Sequence, residues 1–139
     1  MPERIDHVAI IVRSLEQALL FYRDMLGITP SEIKDVPTEQ VRIAFLPLGG
    51  PGGSEIELIE PTIPNSHLSA FLEKRGEGLH HVALRVPDLA GAVERLKAGG
   101  ARILNEPRRG AGGHEYVFVH PSSTGGVLVE LIQDSEAGN

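Results

Sequence analysis

The sequence predicts an α+β fold made of two like modules, each a strand, a helix and further strands. Three observations carry this. First, sliding the chain by 74 residues lays His7 on His81, Val8 on Val82, Ala9 on Ala83, Val12 on Val86, Leu15 on Leu89 and Ala18 on Ala92, six identities in positions 6–18. Second, Glu57-Leu58-Ile59 falls on Glu130-Leu131-Ile132 at an offset of 73, a drift that a small loop deletion absorbs. Third, both matching stretches alternate apolar residues as strands do, and helical spacing follows each first strand.

At 139 residues the chain is one domain, 1–139, which the repeat divides into module one 4–62, connector 63–77, module two 78–133 and a polar tail 134–139. Either module alone buries too little surface to be comfortably stable, so a shared core is expected. Hydrophobic content of 41% and charged content of 23% are globular values. A net charge of −6 argues against general nucleic-acid binding, which needs clustered Lys and Arg. Without cysteine, disulfides, thiol nucleophiles and thiolate metal sites are excluded. The start Met-Pro-Glu-Arg-Ile-Asp-His lacks a signal-peptide pattern and no apolar run reaches membrane-spanning length, so a soluble, cytoplasmic protein is expected.

Residues 4–12 read as the first strand, with Val8, Ile10 and Val12 on the buried face and His7, Ala9, Ile11 and Arg13 on the other. Ser14 and Gln17 have capping-box spacing for a helix carrying Leu15, Ala18, Leu19, Tyr22 and Met25 or Leu26, closed by Gly27. Residues 30–38 read as loop with a short extended piece. Residues 41–48 and 54–60 flank the turn Gly49-Gly50-Pro51-Gly52-Gly53 and predict a hairpin. Ser66 caps a connector helix with Leu68, Phe71 and Leu72, ended by Gly76, where Lys74-Arg75 complement the helix dipole. Module two repeats the order. Its strand, residues 78–86, puts His80 on the apolar face and His81 on the wetter one, and a helix follows Asp88 to Gly99-Gly100. A short strand at 101–104, a basic Gly-rich loop at 107–113, a strand at 115–119, a turn at 120–126 and a last strand at 127–132 complete it, with polar chain from Gln133 on.

Each module brings a His near the start of its first strand and a Glu in its last: His7 with Glu57, His81 with Glu130. If the modules pair edge to edge as one curved sheet, two neutral imidazoles and two carboxylates form an N2O2 set for a divalent ion; Zn, Co, Ni, Mn and Fe are all compatible. Positions left open for substrate oxygens mark a catalytic rather than a structural metal. His80 reads as packing, and His67, His114 and His120 have no repeat partner; His120-Pro121 reads as turn chemistry.

The pieces Asp6-His7-Val8-Ala9-Ile10, Glu55-Ile56-Glu57-Leu58-Ile59-Glu60-Pro61, Gly78-Leu79-His80-His81-Val82-Ala83, Asn105-Glu106-Pro107-Arg108-Arg109-Gly110, His120-Pro121 and Gly126-Val127-Leu128-Val129-Glu130-Leu131 resemble the methylmalonyl-CoA epimerase family. That family belongs to the vicinal oxygen chelate superfamily, with glyoxalase I and the extradiol dioxygenases. The resemblance runs over nearly the whole chain. It implies paired βαβββ modules forming a curved mixed sheet, a glyoxalase-like fold, and a homodimer. It also implies a divalent metal ion, Co, Zn, Ni, Mn or Mg, held by His7, Glu57, His81 and Glu130. The reaction implied interconverts the 2R and 2S forms of methylmalonyl-CoA. A divalent ion chelating the thioester carbonyl and the carboxylate stabilises the enolate left when C2 loses its proton. Glu130 is the expected catalytic base, doubling as a ligand. Several epimerases carry a second Glu in the 41–48 strand, at the position matched by Ile43; Glu39, Glu55 and Glu57 are the nearby carboxylates.

An acidic protein that binds polyanionic coenzyme A needs a local cationic patch. Arg108-Arg109 beside Gly110-Ala111-Gly112-Gly113 supplies one, so Arg109, Gly112 and Gly113 are expected to bind substrate, the glycines through loop N–H groups. Ser123 is expected to donate to a substrate carboxylate. Two other functions fit the same architecture: a glyoxalase I-type lactoylglutathione lyase and a non-enzymatic small-molecule-binding protein. Two complete His/Glu pairs argue against the binder, and weakly against a dioxygenase.

Overall fold

The computed structural model describes residues 2–110 and 113–134. In chain order the elements are β1 (Arg4–Ile11), α1 (Leu15–Leu19, widening to a π-helical turn over Leu20–Met25), β2 (Glu32–Val36), β3 (Val41–Pro47), β4 (Glu55–Pro61), α2 (His67–Arg75), β5 (Gly78–Arg85), α3 (Leu89–Ala98), β6 (Arg108–Arg109), β7 (Glu115–Val119) and β8 (Val129–Gln133). Each module is therefore βαβββ, with α2 in the connector. By contacts the chain divides into a unit of His7–His80 and a unit of the N-terminal residues through Asp6 with the chain from His81 on. In the latter, Glu3 N–H donates to Arg85 O at 2.7 Å and the Arg85 guanidinium pairs with Asp6.

The two modules share one strand plan. In module one the order is β2-β3-β4-β1, with β4 parallel to β1 and antiparallel to β3. In module two it is β6-β7-β8-β5, with β8 parallel to β5 and antiparallel to β7. The repeat extends to register. Ala9 lies beside Glu57 and Ala83 beside Glu130; Phe45 lies across from Glu57 and Phe118 across from Glu130.

Matched caps start the two module helices. Ser14 Oγ accepts from Gln17 N–H at 3.2 Å, and Asp88 Oδ1 accepts from Gly91 N–H at 3.1 Å. Each satisfies a first-turn donor that the helix leaves without a partner. The residue after each cap, Leu15 or Leu89, is fully buried. Leu15 and Leu19 pack with Val12, Ala44, Leu46 and Leu58, while Leu89, Ala92 and Val93 pack with Val86, Val117, Val119 and Leu131. Full burial of one such Leu is worth about 1.5–3 kcal/mol. Ser66 caps α2 as expected, and Gly76 ends it at a φ of 79°.

The β3–β4 hairpin closes where Leu48 N–H donates to Ser54 O at 2.8 Å. A Cβ on Gly53 would lie 1.9 Å from Leu48 O and 2.9 Å from Gly50 O, both backbone atoms that cannot swing aside. Gly53→Ala is expected to destabilise the chain by about 1–3 kcal/mol, read from the urea midpoint at unchanged slope.

Several local expectations are corrected. The face of β1 expected to be buried is not the more buried one: Ala9 and Ile11, on the His7 face, are 0% exposed, while Val8 and Ile10 are half-buried. Ile10 and Val12 do pack under α1, so β1 is buried from both faces, a case that alternation cannot distinguish from one-sided burial. His81 and Ala83 on β5 are likewise buried. Met25 and Leu26 lie outside the core; the helix ends at Gly27, with a φ of 81°, and Ile28 packs on the cluster instead. The extended piece at 30–38 is a full strand, β2. The predicted strand at 101–104 is a single bridge, Ile103 to Val119, because the Asn105 side chain takes the neighbouring β7 groups, accepting from Phe118 N–H at 2.8 Å. Arg108 and Arg109, expected in a loop, pair with β7. The last strand starts at Val129, not Val127, since Thr124 Oγ1 holds Val127 N–H in the turn at 3.1 Å. It runs through Gln133, whose Oε1 accepts from Leu89 N–H at 2.6 Å.

Candidate functional site

The parallel step between first and last strand brings each His to its Glu. On β1 and β4, His7 is level with Glu55 and Ala9 with Glu57. Alternate residues share a face, so His7 needs to lean only one step along the strand to reach Glu57. His7 Nδ1 lies 3.3 Å from Glu57 Oε2. In module two, Ala83 is level with Glu130, and His81 Nε2 lies 3.0 Å from Glu130 Oε1. Alanine as the strand neighbour of each Glu leaves room for the imidazole. His81 also meets the ring of Phe118 edge-on, with centroids 5.1 Å apart.

All four groups are buried: His7 2%, Glu57 9%, His81 7% and Glu130 5% exposed. Burying a carboxylate is costly unless it is paired or binds a metal. The pair geometry fits a shared cation. Two ligand atoms at right angles, each about 2.0–2.2 Å from an ion, sit about 3 Å apart, as the 3.3 and 3.0 Å contacts do. Imidazole nitrogen and carboxylate oxygen are also the donor types that borderline divalent ions take. Each module therefore offers a half-site that fits a divalent metal.

The other predicted site residues have their own local partners. Arg109 is exposed on β6, level with Glu115, and its Nη1 donates to Gly113 O at 2.7 Å. Arg108, level with Tyr116, shares that residue's side of the hairpin. Gly113 has a φ of 84° and donates its N–H to Gly110 O at 3.0 Å; Gly112 lies outside the described residues. Ser123 ends the 3-10 turn Pro121–Ser123, and its Oγ accepts from Arg102 N–H at 2.9 Å. Ile43 is 4% exposed on β3, on the side shared by Phe45 and Glu57. Glu39 sits in the exposed turn before β3, while Glu55 shares the Glu57 face of β4. His80 packs edge-on against Phe71, and His120 Nδ1 accepts from Ser122 N–H at 2.9 Å, both structural roles as expected.

Sequence reasoning missed the aromatic partners of the two acids. The signal was present: the offset of 73 that aligns Glu57 with Glu130 also lays Phe45 on Phe118.

Two βαβββ modules, each with a buried imidazole–carboxylate pair between its first and last strands, define a glyoxalase-type protein. The Glyoxalase/Bleomycin resistance protein/Dioxygenase superfamily model matches residues 6–118. The mitochondrial methylmalonyl-CoA epimerase of Mus musculus is 41% identical over 94% of this chain and 72% of its own length. An ethylmalonyl-CoA/methylmalonyl-CoA epimerase of Cereibacter sphaeroides is 41% identical over 94% of this chain and 97% of its own. A solved variant of Streptomyces coelicolor methylmalonyl-CoA epimerase, in complex with 2-nitronate-propionyl-CoA, superposes with a TM-score of 0.90 at 33% identity, covering 97% of this chain and 99% of that one. The chain belongs to the Glyoxalase/Bleomycin resistance protein/Dioxygenase superfamily and, within it, to the methylmalonyl-CoA epimerases. It is an epimerase, an isomerase by class. Among the described residues no helix is long and apolar enough to cross a membrane.

Proposed function

We propose that the chain epimerises methylmalonyl-CoA at C2, with His7, Glu57, His81 and Glu130 holding one divalent cation and Glu130 moving the C2 proton. The observation that carries this reading is the duplicated register: in each module a buried imidazole nitrogen lies 3.0–3.3 Å from a buried carboxylate oxygen. The relatives bearing the epimerase name over nearly the full chain support the substrate class, and the Cereibacter relative extends it to the ethyl homologue.

When bound, the divalent ion supplies Lewis acidity against the negative charge that develops beside C2. The chain's own residues do the rest. Glu130 Oε takes the C2 proton, with the His81 imidazole fixing the carboxylate from one side and the Phe118 ring packed across from it. Return of a proton to the opposite face of C2 falls to a carboxylate of β4, where Glu55 and Glu57 share a face. Ile43, at the position where several epimerases carry Glu, has no proton to give. Ser123 Oγ accepts from Arg102 N–H and keeps its own proton for the substrate carboxylate. The cationic β6–β7 hairpin, with Arg109 beside Gly113, receives the phosphates of coenzyme A.

The test is proton–deuterium exchange. Metal-loaded protein in deuterated buffer is expected to wash the C2 proton out of methylmalonyl-CoA while leaving methylglyoxal plus glutathione unconverted. Absence of exchange at C2 with metal present overturns the reading.

A further inference from the structure

The two modules differ one step beyond their acids. In module one Glu57 is followed, on its own side of β4, by Ile59, which is level with Ile11 on β1 and across from Ile43 on β3. Three isoleucines therefore stand in a row across three strands, on the side that carries Glu57. They are nearly shut off from solvent, at 0% for Ile11, 6% for Ile59 and 4% for Ile43. They face away from α1, because it is the alternate residues Ile10, Leu58 and Ala44 that pack beneath that helix. One step the other way from Glu57 the same side is open and polar: Glu55 is half-buried and Pro47, across from it, is exposed.

Module two builds the same positions differently. Offsets of 74 for the first strand and 73 for the others lay Ile11, Ile59 and Ile43 on Arg85, Ile132 and Tyr116. Register agrees: Ile132 is level with Arg85 on β5 and across from Tyr116 on β7. This row is polar at both ends. Asp6 and Asp134 engage the Arg85 guanidinium, and Tyr116 is half-buried with a phenol hydroxyl. The imidazole–carboxylate pairs repeat between the modules, but the surface beside them does not.

We infer that the row Ile11–Ile59–Ile43 receives the alkyl group on C2 of the substrate and limits its length, with Ile59 and Ile43 touching it. This rests on the epimerase reading. The occupant follows from what C2 carries. Its thioester carbonyl and its carboxylate offer oxygens to a cation, its hydrogen is the one that moves, and its fourth substituent is hydrocarbon. Of the two matched rows, the isoleucine row is apolar along its whole length, so the hydrocarbon belongs there. Ile59 follows Glu57 by about 7 Å along the strand, a gap that a carbon chain in van der Waals contact on both sides fills. Because the row is already dry, each further methylene must take the place of an isoleucine methyl, which a close-packed surface resists. The asymmetry between modules therefore sets both where the alkyl group lies and how long it can be.

The test is a competition in one tube between methylmalonyl-CoA and n-propylmalonyl-CoA, with metal-loaded protein in deuterated buffer and washout at C2 of each read by mass spectrometry. The ratio of the two kcat/KM values is the readout, so a variant that folds less well lowers both alike and leaves the ratio intact. Ile43→Val and Ile59→Val each remove one methylene from the row and are expected to raise the propyl-to-methyl ratio about four-fold, the worth of one buried methylene. Tyr116→Leu, at the matched position of module two, is expected to leave the ratio unchanged. A ratio unchanged in both isoleucine variants overturns the inference. A shift of the same size in Tyr116→Leu also overturns it, because it puts the alkyl group against module two. If wild-type protein exchanges neither thioester, the functional reading fails; if it exchanges methylmalonyl-CoA and the isoleucine variants leave the ratio where it was, only the alkyl site fails.

Discussion

Glu130→Gln is expected to lower kcat for C2 exchange by about 10²–10⁴-fold. The amide keeps the shape and an oxygen acceptor but has no site for the proton at working pH. Glu130 is 5% exposed, flanked by His81 at 3.0 Å and level with Ala83, so the isosteric change leaves its packing intact. KM is expected to move less than kcat, because the lost interaction is made as the proton transfers. The measurement is deuterium washout at C2 under single-turnover conditions, with circular dichroism confirming the fold. A variant retaining more than a tenth of wild-type exchange would remove Glu130 from the role of base.

The second large effect is on metal removal. Stringent chelation is expected to abolish exchange, and addition of a divalent ion to restore it. Because the ion binds the folded chain and not the unfolded one, loading also stabilises: at a free ion concentration about 1,000 times Kd the gain is about 4 kcal/mol. The urea midpoint of chelated protein should therefore fall against the metal-loaded form. His81→Ala should abolish this difference, because it removes one of the four buried groups proposed as donors. Activity that survives chelation, or equal midpoints with and without ion, would contradict the metal assignment.

Much of this was legible in the sequence because the chain is a duplication. One copy of a pattern is weak, but His7 and His81, Leu15 and Leu89, and Glu57 and Glu130 constrain each other, and the structure places each pair at the same register or cap-adjacent position. The capping residues Ser14 and Ser66 were read correctly because side-chain capping is local chemistry. What failed was mostly non-local. The burial of the His7 face depends on what packs against β1, which alternation along one strand does not encode. Arg108 and Arg109 form a strand because β7 offers an edge, not because of their own propensity. The bridge at Ile103 stops growing because Asn105 satisfies β7 with a side chain. The π-helical turn after Leu19 has no sequence signature in the spacing used.

The central claim is that two copies of one half-site hold a single ion. The direct test is metal content per chain by mass spectrometry, after loading and gel filtration, for wild type, His7→Ala and His81→Ala. The expected result is one equivalent in the wild type and almost none in either variant. Two equivalents in the wild type, or a full equivalent kept by either variant, would mean that the halves bind separately or that one of them binds nothing.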